Sequence, residues 1–120
     1  DYFARVHDEL CCLVQIETGA ALARLETIAA VEGVDGVFIG PSDLAADLGH
    51  LGNSAHPDVQ TAIREAAERC RAVAKPAGIL TPNEEEARRY IEWGFTFVAV
   101  GSDIGVLRKA ADALSARFKE

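Results

Sequence analysis

The strongest constraint on this chain is an alternation. Four short apolar runs, Leu10–Glu17, Gly36–Ile39, Ala77–Leu80 and Phe95–Val100, are each followed by a stretch with helical spacing, and no hairpin signal joins one run to the next. Parallel strands need a long crossover, and a helix is the usual one. The pattern therefore predicts an α/β fold, a parallel sheet covered by helices. All strand tips then share one edge: Glu17, Pro41 to Asp43, Thr81 and Gly101 to Asp103.

The helical stretches carry their own signals. Ala20–Val31 puts Leu22, Leu25, Ile28 and Ala29 on one side, with Gly33 just past its end as a stop. A short helical signal spans Ser42–Leu48. A long helix is expected from about Pro57 to Ala74, with the stripe Val59, Ile63, Ala66, Cys70 and Val73, stopped by Lys75-Pro76. Asn83 with Glu86 three residues on predicts a capping box, with Ala87, Tyr90 and Ile91 facing inward and Gly94 ending the helix. A last helix opens at Ser102 or Asp103 and carries Leu107, Ala110, Ala111, Leu114 and Phe118 on one side. Asp1–Asp8 reads as the tail of a preceding helix or loop. No linker interrupts the chain, so residues 1–120 read as one domain. A (β/α)₈ barrel takes about 250 residues, roughly twice this length.

Composition removes several function classes. With 49% hydrophobic and 26% charged residues the chain is ordinary globular protein, neither disordered nor low in complexity. No apolar run approaches the ~20 residues of a membrane helix, and the N-terminus lacks a signal-peptide layout. The net charge is −7 and the basic residues are scattered, so no nucleic-acid footprint is expected. Three cysteines, Cys11, Cys12 and Cys70, have no framework spacing. They predict reduced, buried thiols and a cytoplasmic setting.

Two carboxylates stand where α/β proteins place chemistry. Glu17 ends the first apolar run and Asp43 follows the second. Oxygen-only ligation suits Mg²⁺, Mn²⁺ or a similar ion, and two carboxylates leave coordination positions open for substrate. The plain alternative is that each caps the helix that follows. Gly40-Pro41-Ser42 leads into a helical signal whose first N–H groups could hold an anion; an N-cap by Ser42 is compatible with that. Gln15 shares a strand face with Glu17, and could contact substrate or bridge neighbouring strands. Of the three histidines, His7 is expected to be exposed, and His50 and His56 fall in the long loop after Asp43. No lysine stands at a strand tip, since Lys75 ends a helix and Lys109 and Lys119 lie in the last one. That argues against Schiff-base chemistry from this segment.

Val14-Gln15-Ile16-Glu17-Thr18, followed by Val34-Asp35-Gly36-Val37-Phe38-Ile39-Gly40-Pro41-Ser42-Asp43-Leu44, resembles the HpcH/HpaI aldolase family. Gly78-Ile79-Leu80 and Phe97-Val98-Ala99-Val100-Gly101-Ser102-Asp103 resemble that family's last two strands. These are class II, metal-dependent pyruvate aldolases, of the type acting on 4-hydroxy-2-oxoheptanedioate or 2-dehydro-3-deoxyglucarate. The resemblance implies a (β/α)₈ barrel of which this chain matches the C-terminal half. It implies a divalent metal (Mg²⁺, Mn²⁺ or Co²⁺) held by Glu17 and Asp43, Gln15 on the pyruvoyl part, backbone around Gly40, Pro41 and Ser42 on the carboxylate, and Leu80 lining the aldehyde side. The substrate class is a 2-oxo acid, and the whole protein is expected to be a homo-oligomer.

The family's catalytic base, a histidine paired with an aspartate, and its substrate arginine belong to the other half. No residue here inherits those roles. The isolated chain is therefore expected to be inactive or weakly active. The alternative is a catalytically incomplete half-barrel that binds metal and 2-oxo acid and needs a partner chain. A receiver-type open α/β domain using Asp43 fits less well, because the acidic cluster and the strand-tip lysine are absent.

Overall fold

The computed structural model describes residues 1–119. Its centre is a 4-stranded sheet in the order β1-β2-β3-β4, formed by Leu13–Ile16, Gly36–Ile39, Ala77–Leu80 and Phe97–Ala99. Every neighbouring pair is parallel. Each strand lies beside its predecessor in sequence, so the winding never reverses. Right-handed crossovers then put every connecting helix on the same face, which is how a barrel is built and a doubly wound sheet is not.

Among the described residues seven helices accompany the strands: α1 (Tyr2–Glu9), α2 (Gly19–Ala23), α3 (Leu25–Ala29), α4 (Pro41–Asp47), α5 (Pro57–Ala72), α6 (Glu84–Trp93) and α7 (Asp103–Ala116). The covered face of the sheet presents Ile16, Val37, Ile39, Ala77 and Ile79. These pack against Leu25 and Ala29 of α3, Val59, Ile63, Ala66, Ala67 and Cys70 of α5, and Tyr90 of α6. Burial of the Cys70 thiol pushes its pKa up to about 11, so it is an inert packing group.

The period-2 alternation sends the other side chains to the opposite face. There Leu13, Leu80 and Phe97 remain 38%, 40% and 53% exposed. Phe38 and Phe97 meet edge to face at 5.9 Å, directly over Gly78, where a Cβ would come within 2.7 Å of the Phe38 ring. The radius of gyration is 17.2 Å, against about 14 Å for a compact chain of this length. One face of the sheet is a core and the other has no cover among the described residues.

Several expectations change. The first strand starts at Leu13, because the Cys12 N–H donates to Asp35 Oδ2 at 2.6 Å and the Cys12 carbonyl accepts from Asp35 N at 2.9 Å. Those bonds commit the segment to the loop entering β2, and Cys11 and Cys12 are exposed, not buried. The helix expected over Ala20–Val31 breaks at Arg24 (φ −109°, ψ 17°) into α2 and α3. α5 ends at Ala72, and Ala74 turns left-handed (φ 54°), so Val73 falls off the buried stripe at 41% exposure. Ile91 points outward, 58% exposed. α7 forms as expected, with Ser102 as its cap, but its apolar side stays largely exposed: Leu107 and Leu114 are 71% and 56% exposed, and Phe118, just past the helix, is 83% exposed.

α3 is fastened to α5 by a bidentate pair. Arg69 Nε and Nη2 donate to Glu26 Oε1 and Oε2 at 2.6 and 2.5 Å. The guanidinium holds the Glu26 carboxyl down at about 2, below its usual 4.5. A depressed carboxyl stabilises the fold above its unfolded pKa and loses that contribution as pH falls through the folded one. Urea midpoints of the native chain and Glu26→Gln should therefore differ most at neutral pH. The gap should close between pH 4.5 and about 2. A gap independent of pH would show that the pair adds nothing.

Candidate active site

β1 and β2 pair with Ile16 opposite Ile39. The ladder runs one residue further, since Gly40 N–H donates to the Ile16 carbonyl at 3.0 Å. Glu17 is thereby set against Gly40 at the carboxyl edge. The approach is close: a Cβ on Gly40 would lie 3.0 Å from Gln15 Nε2, 3.0 Å from Glu17 Cβ and 3.1 Å from Glu17 Oε2. Gly40 is extended (φ −94°, ψ 92°), so space, not backbone freedom, requires glycine there.

Gln15 Nε2 donates to Glu17 Oε2 at 2.8 Å. That bond aligns the two side chains on the uncovered face and leaves Glu17 Oε1 and the Gln15 carbonyl oxygen without a protein partner among the described residues. Gln15 makes no bond to a neighbouring strand there. Glu17 is not a helix cap: Thr18 caps α2, its Oγ1 accepting from Ala21 N at 3.1 Å.

Asp43 sits in the first turn of α4 and makes no side-chain hydrogen bond among the described residues. Ser42 is not the cap of that helix either; Gly40 holds the position without a side chain, and Pro41 follows as the first helical residue. The first helical bond is Leu44 N–H to the Gly40 carbonyl at 2.9 Å. With Gly40 N–H spent on β1 and Pro41 lacking one, the backbone donors left at this turn are Ser42 and Asp43 N–H.

The two tips are braced from behind. Asp47, the last residue of α4, accepts from Gly19 N–H at 2.7 Å through Oδ2, tying the start of α2 to the end of α4. The sequence carries no signal for this bond, which spans 28 residues. At the next tip Thr81 is 4% exposed. Its hydroxyl donates to Glu86 Oε2 at 2.7 Å and accepts from Asn83 N–H at 3.2 Å. Asn83 caps α6 as expected, but the hydroxyl of Thr81 stands between Glu86 and the Asn83 N–H, so the capping box is not closed directly. Leu80 lies on the uncovered face, 40% exposed.

The remaining candidates fall elsewhere. His7 is exposed on α1. His56 caps α5, its Nδ1 accepting from Asp58 N–H at 3.2 Å, and His50 stacks against it at 3.6 Å. Both are partly buried rather than solvated; histidine is not a favoured cap, so sequence pattern gave little hint of this. Lys75 donates to the Val34 carbonyl, at the opposite edge of the sheet.

The donor set at the first two tips is chemically consistent. Glu17 and Asp43 offer carboxylate oxygens and Gln15 an amide carbonyl, with no sulfur or imidazole, beside a glycine that lets Gln15 and Glu17 approach the turn closely. Such donors fit a hard divalent cation of the Mg²⁺ or Mn²⁺ kind.

Comparison with known proteins agrees with this architecture. The family model described as HpcH/HpaI aldolase/citrate lyase matches residues 3–110. The chain is 58% identical over 120 residues to the 5-keto-4-deoxy-D-glucarate aldolase of Escherichia coli, covering 100% of this chain and 47% of that protein. It superposes on an HpcH/HpaI aldolase/citrate lyase family protein from Burkholderia cenocepacia with a TM-score of 0.88 and 36% identity, over 99% of this chain and 47% of the other. An HpcH/HpaI aldolase from Desulfitobacterium hafniense gives a TM-score of 0.88 at 27% identity, over 99% and 46%. The chain thus spans about half the length of the relatives it matches, with four of a barrel's βα units, and it belongs to the HpcH/HpaI aldolase/citrate lyase family.

Proposed function

We propose that this segment is the metal- and pyruvate-binding half of a class II pyruvate aldolase, a carbon–carbon lyase that reversibly splits a 4-hydroxy-2-oxo acid into pyruvate and an aldehyde. The observation that carries the reading is the tight meeting of Gln15, Glu17 and Gly40 where β1 and β2 end. Glu17 and Asp43 hold the cation. A bound Mg²⁺, Mn²⁺ or Co²⁺ supplies Lewis-acid stabilisation of the charge that develops on the 2-oxo oxygen.

Gln15 orients the pyruvoyl part. The turn Gly40-Pro41-Ser42 receives the substrate carboxylate on the Ser42 and Asp43 N–H groups, aided by the short α4 behind them. Leu80 lines the aldehyde side. The relative's name points to a sugar-acid substrate of the 5-keto-4-deoxy-D-glucarate class. Residues 1–120 act as one domain segment, and the base that moves the proton comes from outside it. General acid–base help is typically worth 10²–10⁴-fold, so the isolated chain is inactive or weakly active.

The uncovered sheet face, with Leu13, Leu80 and Phe97 exposed, supports the companion reading of a half-barrel that needs a second half. The exposed apolar side of α7 supports homo-oligomers of closed barrels. Exposed thiols at Cys11 and Cys12 suit a reducing, cytoplasmic setting. No helix among the described residues is long and apolar enough to cross a membrane, and neither a membrane nor a nucleic acid is a partner in this reading.

Three outcomes follow. In a closed barrel that joins this segment to the other half of the 58%-identical aldolase, Glu17→Ala or Asp43→Ala should lower kcat/KM for pyruvate release by about a hundredfold or more. Undiminished metal-dependent cleavage by either variant would sink the assignment. In the same background Gly40→Ala should displace Glu17 and cost activity by about tenfold or more, while leaving thermal stability within a few degrees; wild-type rates would show that the close approach is not needed. The 120-residue chain alone should release pyruvate slowly or not at all, and rapid release would place a base within it.

A further inference from the structure

The segment joining α4 to α5 gathers three groups that the aldolase reading leaves unused. His50 Nε2 lies 3.2 Å from Asp58 Oδ2, and His56 Nδ1 lies 3.6 Å from the same oxygen. The two imidazoles stack with centroids 3.6 Å apart and planes 14° from parallel. One ligating atom from each of the three residues lies within 4.8 Å of the other two. The rings are partly sheltered, at 24% and 33% side-chain exposure, and left-handed glycines at Gly49 and Gly52 (φ 84° and 75°) fold the segment so that both converge on one carboxylate. A groove of about 330 Å³ adjoins them, lined by Leu48, Thr61, Ala62 and Glu65 besides His50 and Asp58. Glu65 stands two turns along α5 from Asp58, on the same side.

We propose that His50, His56 and Asp58 form a second cation site, separate from Glu17 and Asp43, that takes a borderline transition ion of the Zn²⁺ class and clips the connecting segment to α5. Two nitrogens and one carboxylate are the donor set of such ions and a poor one for Mg²⁺. Three protein ligands leave a fourth coordination position for water, and the groove beside His50 and Asp58 gives solvent access to it. Ligation through His56 Nε2 keeps the cap bond from Asp58 N–H; ligation through Nδ1 exchanges that bond for the metal. The two sites therefore differ in kind. One is all oxygen at the strand tips, the other mixed nitrogen and oxygen at the start of α5.

The test is Zn²⁺ titration of the purified chain, followed by histidine ring NMR and by calorimetry, with excess Mg²⁺ present. The His50 and His56 ring signals should shift together with one Zn²⁺ bound, while exposed His7 stays still as an internal control. Zn²⁺ should raise the thermal midpoint of the native chain. His50→Ala and His56→Ala should each weaken binding by about tenfold or more and abolish that rise, whereas Glu17→Ala with Asp43→Ala should retain both. Equal shifts of all three histidines, or Zn²⁺ binding lost with Glu17 and Asp43, would overturn the proposal. The ring signals of the native chain decide the matter even if a variant fails to fold.

Discussion

The site depends on the parallel pairing of β1 with β2 and on its register. Ile16 faces Ile39, the ladder closes one residue further at Gly40, and Glu17 has nowhere to lie except against that glycine. A slip of one residue would turn Gln15 and Glu17 into the helix-covered core and bring Ile16 to the tip. The register is held by burial. Ile16, Val37 and Ile39 are fully buried, and exposing even one would forfeit roughly 1.5–3 kcal/mol. Packing on one face of the sheet thereby aims the polar groups on the other, and the Asp47 bond to Gly19 steadies both tips from behind.

That division of labour explains the shape of the molecule. The crossover helices lie on one face because the strand order never reverses, so half of each strand's side chains have a core and half do not. In a closed barrel the second set would be interior. Here Phe38 and Phe97 crowd over Gly78 without a further layer above them. β1 and β4 each have one neighbour, and unpaired edges of this kind are sites of association. α7 repeats the theme, since its apolar side forms but buries no residue among those described.

Much of this was legible in the sequence. β2 and β3 were bounded to the residue, because glycines bracket the β-branched and aromatic β2, and Pro76 and Pro82 bracket the short apolar run of β3. Parallelism followed from the alternation alone. The first strand starts three residues later than the apolar run and ends one earlier, at Ile16, since Leu10-Cys11-Cys12 is apolar enough to look buried while Asp35, 23 positions from Cys12, claims its backbone; β4 likewise shrinks from Phe95–Val100 to Phe97–Ala99. Val73 and Ile91 continued helical stripes whose ends or partners lie elsewhere. At the site, Gln15, Glu17 and Asp43 stood out by type and position, and Gly40 as part of a turn expected to hold a carboxylate. Its contact with Glu17 is a property of strand register, which no local pattern encodes. Ser42 looked like a cap because serine usually is one, yet Pro41 fixes the first helical position and moves Ser42 inside. His56 and Asp47 do structural work that their residue types do not advertise.

The central claim is that Glu17 and Asp43 jointly hold a hard divalent cation that stays open to a 2-oxo acid. Electron paramagnetic resonance of Mn²⁺ titrated into the chain, with and without pyruvate, tests it most directly. The account predicts one bound Mn²⁺ per chain whose line shape changes when pyruvate is added, and loss of both binding and response when Glu17→Ala and Asp43→Ala are combined. Mn²⁺ binding and a pyruvate response unchanged in that double variant would contradict it.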